Sequence, residues 1–159
     1  MSSLTKSIGD YIVTLFSDAE DSEIVLKRKD LAEKFGCVPS QINYVLRSRF
    51  SPEQGFLTHS QRGGHGFIRI VQIRFADCDE CAEHLEELIG SSLSEQEARR
   101  IMVSLQERGM ITPRERLLIE VALRSHDENA RVMFDLSPYK RDTMRAELLR
   151  KILVSLAMS

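Results

Sequence analysis

Two short amphipathic segments followed by a pair of β-prone runs constrain the fold of this 159-residue chain most. Residues 28–35 carry apolar side chains at helical spacing, and Gly36 is placed to end that helix in the left-handed conformation. Pro39 suits the first position of a new helix, because its fixed φ and missing N–H cost nothing there. The β-prone runs, 56–60 and 67–75, then flank a glycine-rich link. The order helix, turn, helix and two-stranded hairpin predicts a winged helix-turn-helix.

The residues before these segments give a clear signal and an ambiguous one. Apolar side chains from Leu4 to Phe16 recur on one stripe and predict an amphipathic helix, and the acidic residues 18–23 predict a loop. Residues 24–26 are apolar, and they fit either a short strand or the approach to the next helix.

The helix expected from Pro39 has two unlike faces. Its apolar face consists of Ile42, Val45 and Leu46, and its polar face of Ser40, Gln41, Tyr44, Arg47 and Ser48 with Asn43 at the edge. The amides of Gln41 and Asn43 have the donor and acceptor pair that matches adenine in the major groove. The guanidinium groups of Arg47 and Arg49 suit guanine edges or phosphates. This helix is therefore the candidate for base recognition, although an ordinary amphipathic helix with a solvated face would show the same pattern.

The charge distribution agrees with a nucleic-acid partner. The net charge of −2 averages unlike segments of the chain: residues 24–75 hold nine basic and three acidic side chains, and residues 76–159 hold twelve basic and sixteen acidic ones. A cationic block of this kind favours phosphate contacts, although a solvated charged surface is also compatible with it. Arg28 and Lys29 are expected to hold the DNA backbone, and Tyr44 to contact a sugar or phosphate.

The glycine-rich link is the second signal for DNA binding. Residues 62–66 read Arg-Gly-Gly-His-Gly, so Gly63, Gly64 and Gly66 leave room for a thin tip and Arg62 supplies a positive charge. A narrow minor groove favours such an element, and His65 would add a weak phosphate contact. A nucleotide-binding loop is set aside, because the Gly-Lys-Ser/Thr ending is missing and no helix follows directly. A plain flexible hairpin is the remaining alternative.

The second half of the chain is helical in pattern. Ser94 with Glu97 and Thr112 with Glu115 are capping boxes that predict two helix starts. A final helix from Pro138 carries six large apolar residues: Met144, Leu148, Leu149, Ile152, Leu153 and Leu156. We expect this surface to pair with a second copy, although a self-contained bundle would also use it.

These patterns together predict a mainly α fold with a small β-hairpin (α+β). Residues 1–75 would form the DNA-binding domain and residues 76–92 a connector helix. Residues 93–159 would form a dimerisation domain of the four-helix-bundle type across the dimer.

Other functional classes find little support. Cys78, Cys81 and His84 would suit a zinc or redox site, but only three candidate ligands lie together, and a pair of half-buried small residues on the connector helix explains them as well. We expect no cofactor, no metal and no catalytic constellation, hence no enzyme. No apolar run reaches the roughly 18 residues of a membrane span, and few cysteines fit a cytoplasmic protein.

At its most specific residues the chain resembles the CtsR family, repressors of Clp-protease and chaperone genes in low-GC Gram-positive bacteria. The resemblance rests on residues 37–45, on Arg49-Phe50 and on Arg62-Gly-Gly-x-Gly66-Phe-Ile-Arg-Ile70, and it extends more loosely over the helical half. It implies a homodimer on double-stranded DNA, at an operator of directly repeated heptanucleotides, with the wing tip in the minor groove.

The resemblance further implies that the wing glycines Gly63, Gly64 and Gly66 act as the heat sensor, with Arg62 as the main wing contact. It implies an arginine kinase and the Clp ATPase and protease system as partners, with Arg62 as a candidate for arginine phosphorylation. His65 stands where several relatives carry a further glycine.

Two alternatives to a stress-gene repressor stay open. One is a winged-helix regulator controlled by a small molecule, metal or redox signal through the C-terminal helices and Cys78 and Cys81. The other is an adaptor whose helical half recruits a kinase or protease.

Overall fold

The computed structural model describes residues 3–20, 22–60, 66–74 and 78–159, apart from the side chains of Cys78 and Asp79. The chain divides into two compact units, Met1–Ile73 and Arg74–Ser159. None of the helices in the described residues is both long and apolar enough to span a membrane.

The first unit contains three helices and a small sheet. In chain order its elements are α1 (Ser3–Asp18), β1 (Glu23–Lys27), α2 (Arg28–Phe35), α3 (Pro39–Arg49), a 3₁₀ turn (Pro52–Gln54), β2 (Phe56–Ser60) and β3 (Phe67–Gln72). The predicted turn between α2 and α3 is confirmed: Gly36 has φ 61°, its N–H donates to the carbonyls of Ala32 and Glu33, and Pro39 is the first residue of α3.

The sheet has three strands where the sequence indicated a two-stranded hairpin. The order is β1-β3-β2 with both pairings antiparallel, and Ile24 of β1 and Thr58 of β2 are opposite Ile70 of β3. The open choice at residues 24–26 is thus decided in favour of a strand. β1 pairs along the edge of β3 that the β2–β3 hairpin leaves free, and so that edge is covered. β3 also ends at Gln72, earlier than the β-prone run of residues 67–75.

A single apolar cluster joins these elements. Its fully buried members include Ile8 and Ile12 from α1, Ile42 and Val45 from α3, and Ile68 from β3. Aromatic rings close one end, with the centroids of Phe50 and Phe56 4.9 Å apart in an edge-on arrangement. The cluster fixes α3 against α1, α2 and the sheet, and this determines which face of α3 remains in solvent.

The second unit is helical. Its elements are α4 (Cys78–Ile89), α5 (Glu95–Glu107), α6 (Pro113–Val132) and α7 (Pro138–Ala157). α7 packs against α4, α5 and α6, so the helix expected as a connector, α4, is part of this unit. Both predicted capping boxes are confirmed: Ser94 Oγ accepts from Glu97 N–H while Glu97 accepts from Ser94 N–H, and Thr112 with Glu115 does the same.

The apolar faces of this unit differ from the expectation in one respect. Of the six large apolar residues of α7, Leu149 and Leu153 are fully buried and the other four are half-buried. The exposed large apolar side chains lie chiefly on α6 and the turn after it, at Leu117, Leu118, Val121, Val132, Met133 and Phe134. The side of α6 that faces the core carries Ile119 and Leu123 instead. The open surface of the described unit is therefore found on α6 rather than on the final helix.

Candidate DNA interface

The helix α3 presents its polar face because its apolar face is fully used in packing. Ile42, Val45 and Leu46 are buried against α1 and α2. The residues on the opposite side that are exposed are Ser40, Gln41, Tyr44 and Arg47, whereas Asn43 and Ser48 are half-buried. Tyr44 exposes 57% of its surface, an unusual position for a large aromatic side chain in a packed domain. The predicted recognition face is thus brought together on one side of one helix.

Gln41 also takes part in starting its own helix. Its Oε1 accepts a long hydrogen bond from the backbone N–H of Val38, at 3.4 Å. Val38 is the cap position of α3 and has no polar side-chain atom, so this bond is the side-chain cap that the structure supplies. The NH₂ group of the amide is left as the donor that Gln41 can offer to a base edge.

Arg49 is engaged inside the first unit. Its Nη1 and Nη2 both donate to Asp10 Oδ1 at 3.3 Å, and Nη1 also donates to the carbonyl of Lys6 at 3.2 Å. The guanidinium lies on Gly9, where a Cβ atom would approach Nη1 to 2.0 Å. With 26% of its side chain exposed, Arg49 connects the C-terminal end of α3 to the middle of α1. Sequence reasoning placed it among the base and phosphate contacts and gave no sign of this connection.

Arg28 and Lys29 are adjacent in sequence and differ in their surroundings. The backbone N–H of Arg28 donates to the carbonyl of Gly66 at 3.0 Å, and its Nη2 donates to Ser60 Oγ at 3.1 Å. Arg28 thereby contacts the last residue of β2 and the residue that precedes β3, the two sides of the wing root. The side chain of Lys29 is 80% exposed, and its Nζ lies 3.9 Å from Glu33 Oε1. Lys29 has the freedom expected of a phosphate contact, and Arg28 is held at the wing.

The predicted wing contacts Arg62, Gly63, Gly64 and His65 fall in the stretch that the structure does not describe. Gly66 is described, and its φ of 75° is in the left-handed region that favours glycine. At the wing, Arg69 on β3 pairs with Glu23 on β1 through an Nε–Oε1 contact of 2.6 Å. Strand register alone brings these two residues together, so the sequence offered no signal for the pair.

A separate cavity of about 340 Å³ lies in the second unit, between α5, α6 and α7. Arg145 reaches its wall from α7 and is almost fully buried. Its Nη2 donates to Asp127 Oδ1 at 2.8 Å and its Nη1 to the carbonyl of Leu93 at 2.9 Å. The wall of the cavity carries side chains of both charges, and these hydrogen bonds hold the guanidinium of Arg145 in place.

The cysteine and histidine cluster is only partly described. Cys81 is buried at 1% exposure and His84 is half-buried, while the Cys78 side chain is among those left undescribed. Among the described residues there is no group of three His, Cys, Asp or Glu side chains arranged to hold a metal ion.

Comparison with known proteins places both units in one family. The model of the CtsR N-terminal HTH domain matches residues 3–74, and that of the CtsR C-terminal dimerization domain matches residues 77–154. The transcriptional regulators CtsR of Staphylococcus haemolyticus and Staphylococcus epidermidis are each 35% identical over 153 residues, covering 96% of both chains. A crystal structure of CtsR in complex with a 26-base-pair DNA duplex is similar at a TM-score of 0.58 and 31% identity, covering 97% of this chain and 98% of that one.

Proposed function

Because the chain belongs to the CtsR family of transcriptional regulators, a family of DNA-binding proteins rather than enzymes, we propose that it is a sequence-specific repressor of stress genes. In this proposal it acts in the cytoplasm as a homodimer on double-stranded DNA. Its operator is a direct repeat of a heptanucleotide near the genes of Clp proteases and chaperones. Heat releases it through the glycine-rich wing.

The observation that carries the proposal is the exposed polar face of α3. Ser40, Gln41, Tyr44 and Arg47 stand in solvent on a helix whose other side is buried. A helix held in this way can enter the major groove without ordering its own backbone on binding. A similar solved structure is that of a CtsR protein in complex with a DNA duplex, which supports DNA as the partner of this chain. Gln41 and Asn43 read adenine edges, and Arg47 reads guanine or holds a phosphate.

The contacts to the DNA backbone set the register of α3 in the groove. Lys29 and Tyr44 are exposed on the first unit, and the surplus of basic side chains within residues 24–75 adds attraction that does not depend on sequence. Arg28 and Arg49 act from positions in which they also stabilise the wing root and the α1–α3 contact. Arg62, Gly63, Gly64 and His65 complete the interface from the wing tip, in the minor groove.

Two further steps of the proposal rest on the family resemblance. The glycines Gly63, Gly64 and Gly66 must lose conformational freedom when the tip binds, and the entropic cost, ~1–2 kcal/mol for each ordered residue, grows with temperature. A modest rise in temperature then shifts a marginal contact towards release. An arginine kinase that modifies Arg62 and a Clp ATPase and protease that remove the repressor would make release lasting.

Operator binding at two temperatures tests the proposal. The probe is promoter DNA from upstream of a Clp protease gene, carrying the tandem heptad, and the control duplex has both heptads scrambled. We expect tight, salt-sensitive binding to the tandem site at the lower temperature and weak binding at heat-shock temperature. Gln41→Ala should lower affinity for the tandem site by about 5- to 150-fold, the equivalent of ~1–3 kcal/mol. Equal affinity for both duplexes at the lower temperature would overturn the proposal.

The cavity beside Arg145 favours one second candidate, a regulator whose helical half binds a small effector. Its volume suits a small molecule, and the charges in its wall suit one with both acidic and basic groups. A screen of metabolites for a rise in melting temperature, without DNA present, separates this candidate from the first. The metal or redox version requires Cys78 together with Cys81, and zinc analysis of the purified protein tests it.

A further inference from the structure

Val38, the residue that caps the start of α3, is poorly suited to that position. It has φ −88° and ψ 153°, and its side chain makes no capping hydrogen bond. Serine, threonine, asparagine and aspartate are favoured at such positions, because their oxygen accepts a free N–H of the first turn, whereas valine is among the poorest caps. The side chain adds little to the core either, since the residue is 56% exposed. A residue that serves neither the helix nor the core indicates a demand from outside the domain.

Val38 lies at the end of α3 that a recognition helix directs towards the bases. In helix-turn-helix proteins, the N-terminal residues of the recognition helix contact base edges in the major groove. Within the described part of the first unit, four large apolar residues are exposed, and two of these, Val38 and Tyr44, are the cap and a member of α3. Val38 is also joined to Gln41 by a hydrogen bond, so its methyl groups border the polar face of α3.

The backbone on both sides of Val38 is held by hydrogen bonds. The N–H of Cys37 donates to the Ala32 carbonyl at 2.9 Å, and the N–H of Gln41 donates to the Val38 carbonyl at 3.0 Å. The N–H of Val38 itself donates to Gln41 Oε1 at 3.4 Å. Pro39 restricts the residue before it to an extended conformation, and a β-branched side chain has few rotamers. The two methyl groups are therefore presented with little freedom to lose on contact.

The chemistry of this position matches one feature of the major groove. The C5 methyl group of thymine is the apolar group that the bases display there, and apolar side chains distinguish thymine through it. The other groups on the base edges are hydrogen-bond donors and acceptors, which an amide such as that of Gln41 recognises and a valine does not.

We propose that Val38 recognises the C5 methyl group of a thymine in the operator, beside the base that Gln41 contacts. This inference rests on the proposed function and adds to it a residue, a base and a chemical group. Valine at the cap position gives up the stability of a polar cap, and in return each copy gains an apolar contact that selects thymine over cytosine.

Removal of the methyl group from the DNA tests the contact. The probe is the tandem-heptad duplex, in which each thymine is replaced in turn by deoxyuridine at the matching position of both heptads, so that only the methyl group is lost. For one such position, we expect the unaltered protein to bind about 10- to 100-fold more weakly, because each copy loses one methyl contact. Val38→Ala should bind the thymine and deoxyuridine duplexes equally at that position, and alanine caps a helix no better than valine does.

Val25→Ala is the matched control. It makes the same replacement at a valine of β1 that is 57% exposed, close to the exposure of Val38. This variant should keep the full loss of affinity on the deoxyuridine duplex. A loss that persists undiminished in Val38→Ala would come from the shape of the DNA or from another residue, and it would overturn the inference. So would the finding that no replacement weakens the unaltered protein by threefold.

Val38→Ser separates a contact with DNA from a structural role. Its hydroxyl can accept an N–H of the first turn of α3, so it should raise the urea midpoint of unfolding. Its operator affinity should nevertheless fall about 10- to 100-fold, as expected for Val38→Ala. A fall in both stability and affinity would show that valine is needed for the fold and would count against the thymine contact.

The same titrations keep this inference apart from the proposed function. If the unaltered protein binds the tandem and scrambled duplexes equally, the proposed function fails, and this inference fails with it. If binding is specific for the tandem site but Val38→Ala still distinguishes thymine from deoxyuridine at every position, the proposed function stands and the role of Val38 is wrong.

Discussion

Arg49 is tied to α1 by bonds to Asp10 and to the Lys6 carbonyl, so its side chain stabilises the domain before any DNA is present. Asp10→Ala distinguishes this positioning role from a role at the DNA. Removing an acidic group near a DNA-binding face, and freeing an arginine, would raise affinity if Arg49 acted only on DNA. We expect the opposite: a loss of about 0.2–1 kcal/mol in the free energy of unfolding and several-fold weaker binding to the operator.

Urea unfolding and fluorescence anisotropy with the operator measure the two effects. Asp18→Ala, at the exposed end of α1, removes the same charge away from Arg49 and serves as the control. Tighter binding by Asp10→Ala than by Asp18→Ala would show that Arg49 works mainly through DNA.

Arg28 provides a second test at the scale of one residue. Its Nη2 donates to Ser60 Oγ at the wing root, while neighbouring Lys29 extends into solvent. Arg28→Ala should accelerate hydrogen exchange of the backbone amides of β2 and β3 and lower the free energy of unfolding by about 1 kcal/mol. Lys29→Ala should leave both unchanged and reduce the salt dependence of DNA binding by about one phosphate contact. Equal exchange rates in the two variants would argue against the wing-root role.

At the scale of one element, the capping box of α5 makes stability depend on pH. The pKa of Glu97 lies below its ordinary value, because its carboxylate accepts the backbone N–H of Ser94 and bonds within the box. An acid whose pKa is lowered by folding adds stability above the pKa of the unfolded chain, about 4.3. That stability is lost as the pH falls through the lowered pKa.

We therefore expect Glu97→Ala, which removes this carboxylate, to cost about 1 kcal/mol at pH 7 and less at pH 3. Urea unfolding at both pH values measures the difference. Ser92→Ala, on an exposed residue just before the helix, is the control and should change neither value. A loss from Glu97→Ala that is as large at pH 3 as at pH 7 would contradict the role given to the carboxylate.

At the scale of the whole molecule, two copies must cooperate if the operator has two heptads. The α3 helix and wing of one copy make few base contacts. When two copies are paired, binding of the first copy to one heptad brings the second copy close to the other heptad, and this raises the overall affinity. We expect the second copy to cover the exposed apolar side of α6, so Leu118→Glu should weaken binding to the tandem site by at least about 100-fold. It should leave binding to a single heptad unchanged. Ser155→Glu, the same charge placed on α7, should bind both probes as the unaltered protein does, and equal losses on both probes would show damage to the reading domain instead.

The sequence alone was enough for the features that depend on near neighbours in the chain. Gly36 and Pro39 set the turn between α2 and α3, the spacing of Ile42, Val45 and Leu46 gave the buried face of α3, and both capping boxes were readable. Each of these signals depends on residues no more than three or four positions apart, so it can be recognised in the sequence without knowledge of the fold. The exposed polar face of α3 follows from the same periodicity.

Only the tertiary structure decided which distant residues meet. β1 joins β3 across forty residues or more, and Arg49 reaches Asp10 thirty-nine residues away. Such pairings depend on how packed elements are placed in space, which local spacing does not encode. Burial on α6 also depends on packing. Leu117 and Ile119 are both apolar residues, but only the packed structure shows that Ile119 faces the core while Leu117 is exposed. The sequence by itself determined the helices and the polar face of α3. The tertiary structure decided that residues 23–27 form a strand and which apolar side of α6 stays open, because strand pairing and burial depend on neighbours that are remote in the chain.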